Sequence, residues 1–130
     1  MSVSSFTCGI DIGTKNLCIS FVPTGESGFS PVVISYKGSL DSIFRYETGQ
    51  RSSEAIALSK RDAAQSHEAY VKILKAIPEF RDTTSTVIEE QLSMNKSNMS
   101  RLDGITYGFL RGAFPQMGVY LHGSTIRQKF

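Results

Sequence analysis

Nothing in this chain of 130 residues approaches the roughly 18 consecutive apolar residues that a membrane-spanning helix requires, so no membrane association is expected. No leader is expected either. Met1 to Phe6 has no basic region and runs straight into an apolar stretch, so no targeting peptide is expected and the protein is read as intracellular. Cysteine is scarce: Cys8 and Cys18 have no Cys or His partners at zinc-binding spacing, which argues against a zinc site. Without secretory signals the two are read as thiols that fill space like small apolar residues, not as a disulfide. An excess of one charge is also missing, since 14 Lys and Arg face 12 Asp and Glu for a net charge of +2. That balance permits nucleic-acid binding without the strongly basic patch that usually announces it. Finally, no Asp or Glu follows Asp103. There is no internal repeat and no low-complexity segment.

What is present suits one α/β domain over residues 1–130, with 40% hydrophobic and 20% charged residues, a balance that can bury a real core. The most informative stretch runs from Cys8 to Phe21. Two apolar runs, Phe6 to Asp11 and Leu17 to Phe21, flank a Gly-Thr-Lys-Asn turn and predict a β-hairpin. Asp11 closes the first run. An ionised Asp in a buried strand is costly unless a metal, a cation or hydrogen-bond donors compensate it. Beside a turn rich in backbone N–H groups, Asp11 is therefore a candidate for metal or phosphate chemistry.

Further along, Val32 to Tyr36 is β-branched and aromatic and predicts a third strand. Lys37 to Arg51 is polar and poorly patterned and reads as a loop. Ser52 and Ser53 are candidate caps for a helix from Glu54 to about Ile77, with Ile56, Ala63, Tyr70, Val71, Leu74 and Ile77 as its apolar stripe. Pro78 ends it. Thr83 to Gln91 predicts a strand with acids at its C-terminal end, and Asn98 to Phe114 a helix whose stripe includes Met99, Leu102, Ile105, Phe109 and Leu110. Pro115 stops that helix, and Gly118 to His122 predicts a fifth strand. The order β-β-β-α-β-α-β implies a mixed five-stranded sheet with helices packed on it.

If the first and fourth strands are neighbours, Asp11 and Glu89 approach within a few ångströms. Two carboxylates that close repel unless a divalent cation lies between them, and oxygen ligands of this kind suit Mg²⁺ or Mn²⁺. Such a site activates water for phosphodiester cleavage. Taken alone, Glu89 and Glu90 fit a solvated strand end equally well. Gly104, Gly108 and Gly112 fall on one helix face, which predicts close packing on the sheet or, second, a subunit interface. Lys15 and Asn16 in the first turn are candidates to meet a phosphate, and Lys96, Arg101 and Arg111 to track a DNA backbone, although turns and surfaces favour such residues anyway. His67 and His122 show no partner in the sequence and are not taken as catalysts.

The hairpin Gly9 to Leu17, the strand Val87 to Gln91 and the helix around Met99 to Gly104 together resemble the RuvC-like Holliday junction resolvases of the RNase H-like superfamily. Among these the chain is most similar to the forms of large DNA viruses and fungal mitochondria. The resemblance covers about Phe6 to His122. It implies an RNase H-like fold and a homodimer that cuts four-way DNA junctions with Mg²⁺ held by four acids. The hairpin acid corresponds to Asp11, and the family's Glu-x-Gln signature to Glu89 and Gln91, not Glu90. Lys129 is the residue nearest to the family's functional lysine. Lys15, Asn16, Gln91, Lys96, Arg101 and Lys129 are thus the candidate DNA contacts.

The family carries its last two acidic ligands on a C-terminal helix, which this chain does not match. Asp103 does not replace them, because it lies mid-helix where the family often has a non-catalytic acid. Asp11 and Glu89 are then half of the expected site, and the chain is read as a fragment or a shortened relative. Two alternatives stay open: an inactive remnant that binds junctions or dimerises, and a fragment of an actin-like or sugar-kinase-like ATPase, whose first phosphate loop Gly9 to Thr14 also resembles.

Overall fold

The computed structural model of the chain describes residues 5–13, 16–24, 32–55, 66–90 and 96–123. Strands β1 (Phe6–Asp11) and β2 (Leu17–Pro23) form the expected antiparallel hairpin, with Asp11 opposite Cys18 and Cys8 opposite Phe21. Gly13 serves the turn by its lack of a side chain: a Cβ there would lie 2.8 Å from the carbonyl oxygen of Asn16. Successive side chains of a strand point to opposite faces. Cys8, Ile10, Leu17, Ile19 and Phe21 are buried on one face, while Thr7, Gly9 and Asp11 lie exposed on the other. Cys8 and Cys18 therefore project from opposite faces, and both are free thiols.

The remaining elements are β3 (Ile34–Gly38), β4 (Ile43–Glu47), β5 (Gln50–Ala55), α1 (Ser66–Ala76), a 3-10 turn (Pro78–Asp82), β6 (Thr83–Glu90), α2 (Lys96–Ala113) and β7 (Gly118–Gly123). They build one mixed sheet in the order β5-β4-β3-β2-β1-β6-β7. β1 to β5 form an antiparallel meander, and β6 and β7 add in parallel on the other side of β1. The fold class expected from the sequence is the one adopted, with seven strands in place of five.

The two extra strands correct the reading of Lys37 to Arg51 as a loop. Thr48 and Gly49 both have positive φ, 50° and 86°, as the two central residues of a tight type I′ hairpin require. That turn pairs Glu47 with Gln50 and joins β4 to β5. Glu54, expected to open a helix, instead lies in β5, and α1 starts at Ser66. The part of the expected helix carrying Ile56 and Ala63 lies outside the described residues.

The core lies between one face of the sheet and the helices. Tyr70, Ile73 and Leu74 of α1, Leu102 and Leu110 of α2, and Phe80 of the 3-10 turn meet Ile10, Ile19, Phe21, Tyr36 and Ile88 there. Phe21 and Phe80 pack edge to face with ring centroids 5.1 Å apart, a geometry worth about 1 kcal/mol beyond burial. The Tyr70 and Thr106 hydroxyls lie 2.5 Å apart and tie α1 to α2, while Thr106 also donates to the Leu102 carbonyl at 2.7 Å. Tyr36 of β3 donates to Glu79, which also takes the Arg45 guanidinium of β4 at 3.1 Å. Gly104, Gly108 and Gly112 are exposed, with no atom within 4 Å of an added Cβ, so they do not pack on the sheet as expected. Helix α2 turns Leu102, Thr106 and Leu110 inward, and the glycines fall on its outer side.

Candidate functional site

Among the described residues no element covers the second face of the sheet, and its centre holds a cleft of about 470 Å³. Asp11, Glu89, Cys18 and His122 line it together with Gly9, Ser20 and Val87. The strand register explains why. Asp11 of β1 is paired with Glu89 of β6, Glu89 with His122 of β7, and Asp11 with Cys18 of β2. One transverse row of the open face thus reads His122, Glu89, Asp11, Cys18. Neighbouring strands are about 4.8 Å apart, so the Asp11 and Glu89 carboxylates share one small volume. Gly9 keeps the space beside Asp11 open, since nothing lies within 4 Å of where its Cβ would be.

This arrangement corrects the premise that Asp11 is a buried acid. Asp11 is exposed and Glu89 half-buried, because both fall on the open-face phase of their strands while Ile10 and Ile88 take the core side. The cost of burying a charge therefore plays no part at Asp11. What marks the pair is its exposure in a shared cleft.

Two hard-oxygen side chains on one floor fit a Mg²⁺ ion, which takes one or two protein carboxylates and fills its other positions with water or phosphate oxygens. Among the described residues no group of three or more His, Cys, Asp and Glu forms a fuller set. The buried Cys8 thiol is no nucleophile here: it points into the core, and burial pushes it well above the ordinary thiol range.

His122 has no partner that the sequence reveals, yet it sits beside Glu89 in the cleft. Only the parallel pairing of β6 with β7 brings the two together. Asn16 is exposed at the end of the hairpin turn. Lys15, Gln91 and Lys129 lie outside the described residues, and Lys96 and Arg101 are placed by backbone alone in the first half of α2. Asp103 is 5% exposed on the core side of α2, away from the cleft, and its charge adds to the upward pressure that burial puts on the Tyr70 hydroxyl. Arg111, a candidate for tracking DNA, donates to the Met117 carbonyl at 3.2 Å and steadies the turn into β7.

No family model and no curated protein matches the chain. Among solved structures it is similar to the yeast mitochondrial Holliday junction resolvase, at 17% identity and a TM-score of 0.54, over 92% of this chain and 52% of that one. Similarity to Thermus thermophilus RuvC is weaker in shape, at 19% identity and a TM-score of 0.47, over 91% of this chain and 63% of that one. RuvC of the same organism in complex with Holliday junction substrate gives 19% identity and a TM-score of 0.49, over 92% and 63%. The chain spans about half the length of the yeast resolvase. At 17% identity what the two share is a fold, a mixed α/β sheet with helices packed on it.

Proposed function

We propose that the chain is a structure-selective endonuclease domain that resolves four-way DNA junctions by Mg²⁺-dependent phosphodiester hydrolysis, with Asp11 and Glu89 as the metal-binding pair. The observation that carries this reading is the in-register pairing of Asp11 and Glu89 on parallel strands, open to a cleft, in a fold shared with a junction resolvase. A bound divalent ion supplies charge that activates a water and stabilises the leaving oxygen. Asp11 and Glu89 hold that charge on the sheet and, being fixed by strand pairing, spend no reorganisation on doing so. His122, next to Glu89 in the cleft, is a candidate to give a proton to the leaving oxygen. A homodimer suits a four-way junction, because two-fold symmetry in the DNA is met by two-fold symmetry in the protein.

Incubating the chain with a labelled four-way junction and Mg²⁺ tests the reading. Cleavage by the wild type and none by Asp11→Asn is expected. Retardation without cleavage moves the chain to a junction-binding role, and cleavage that survives Asp11→Asn sinks the assignment of the site.

A further inference from the structure

The transverse row that holds the two acids does not stop at Cys18. It continues to Lys37 of β3 and Phe44 of β4, and the next row runs from Ser20 through Ser35 to Tyr46 and Arg51 of β5. On this half of the open face the side chains alternate between cation and aromatic ring. The Lys37 ammonium lies over the Tyr46 ring at 5.6 Å from its centroid, and the Arg51 guanidinium over Phe44 at 4.6 Å. Both cations are exposed and both rings half-buried.

The acids nearby go the other way. Glu47 and Glu79 both bind Arg45, which lies on the core side of β4, at 3.2 and 3.1 Å. On the core side, Glu47 and Glu79 are thus matched by Arg45, while Lys37 and Arg51 fall on the open-face phase of their strands. Positive charge and aromatic surface coincide on this patch.

We infer that the open face of β3 to β5 is a platform on which an unpaired DNA strand stacks as it leaves the Asp11/Glu89 cleft. The identity of the occupant rests on the nuclease reading, while the chemistry of the patch stands apart from it. Grooves that bind single strands combine cations tracking the backbone with aromatic rings on which bases stack, and rings that must stack exclude a base-paired arm. Lys37 and Arg51 pair with phosphates, and the Tyr46 and Phe44 faces that they occupied pass to bases. The platform from β3 to β5 spans two strand spacings, about 10 Å, which matches about three nucleotides at ~3.4 Å per charge. No residue of the proposed cleavage site belongs to it.

Binding of a fluorescein-labelled 15-mer of oligo(dT) to the full chain, followed by anisotropy across a salt series, tests the platform. Lys37→Gln/Arg51→Gln removes two cations that meet phosphates, and it is expected to flatten the slope of log K against log salt by about 1.4. Tyr46→Leu is expected to weaken binding at least about fivefold at unchanged slope. The chain has no Trp, so its tyrosine emission is readable directly, and oligo(dT) is expected to quench less of it in Tyr46→Leu. Unchanged melting temperatures confirm that the variants fold, and Lys37 and Arg51 are exposed enough for the Gln pair to keep the fold in any case. Wild-type binding that stays within twofold in both variants, or duplex bound as tightly as single strand, overturns the platform and leaves the nuclease reading standing. A wild-type chain that retards neither oligo(dT) nor a four-way junction overturns both.

Discussion

Replacing both cleft acids, in Asp11→Asn/Glu89→Gln, is expected to move stability in opposite directions with and without metal. Two unit charges about 5 Å apart repel by about 0.8 kcal/mol in a water-like dielectric and about 3 kcal/mol at an effective dielectric of 20. Asp11 is exposed and Glu89 half-buried, so the low end applies, and salt screens it further. Without divalent ion the double variant is thus expected to be more stable than the wild type by less than about 1 kcal/mol. With Mg²⁺ the order reverses. An ion that binds only the folded state, at ten times its dissociation constant, stabilises by about 1.4 kcal/mol. For a domain of this size that is a rise of about 3–6 °C in Tm. Thermal melts followed by circular dichroism, in chelator and in 10 mM MgCl₂ at matched ionic strength, read both effects. Equal Mg²⁺ shifts in wild type and variant would show that the ion acts elsewhere. A variant less stable than the wild type in chelator would show that the two carboxylates do not oppose each other.

Gly104→Ala, Gly108→Ala and Gly112→Ala are each expected to raise stability by about 1 kcal/mol in denaturant melts, since helix propensity favours Ala and nothing obstructs the new Cβ. A loss of stability that deepens with protein concentration would instead place a partner subunit against that face. Thr48→Asn is expected to stabilise by about 0.5–1 kcal/mol, because Asn tolerates the left-handed backbone that Thr48 adopts at φ 50°; a destabilised variant would mean that the Thr side chain holds the turn. Stability is expected to fall in alkali. Burial holds the Cys8 thiol and the Tyr36 and Tyr70 hydroxyls protonated in the folded state above their ordinary ranges. Deprotonation then favours the unfolded chain, first above about pH 8.5 through Cys8 and further above about pH 10 through the tyrosines. Cys8→Ala is expected to remove the earlier part of that decline, and an unchanged profile in urea melts across pH 7–11 would contradict it.

The elements legible in the sequence are those whose side chains obey one period throughout. β1, β2, β6 and β7 are apolar or β-branched runs, and α2 carries Leu102, Ile105, Phe109 and Leu110 at helical spacing. β4 is not legible because its pattern is inverted after Ile43: Phe44 and Tyr46 face the open side, while Arg45 and Glu47 take the core side, where Arg45 binds both Glu47 and Glu79. Its turn uses Thr48–Gly49 where a hairpin more often announces itself with Asn-Gly. The glycine face is a question of phase, which the sequence does contain. At about 100° per residue, Gly104 is about 200° around the helix from Leu102, so the face that buries Leu102, Thr106 and Leu110 is not the glycine face.

Phase also decides what kind of acid Asp11 is. An apolar run containing one carboxylate suggests a charge held in the core, but Gly9 sits at the open-face position and its missing side chain hides the alternation of β1. A carboxylate inside the core requires a compensating charge for its own sake and says little about substrate. One on an uncovered face requires nothing, and its use depends on what the register sets beside it. Here the register brings Glu89 and His122 to one side of Asp11, and Cys18, Lys37 and Phe44 to the other, in a single row. Acids that can share a cation thus lead directly into a cation and a ring that can receive a phosphate and a base. Under the proposed reading a one-residue slip of β1 would abolish cleavage by turning Asp11 to the core, while Lys37, Phe44, Tyr46 and Arg51 on β3 to β5 would keep their places.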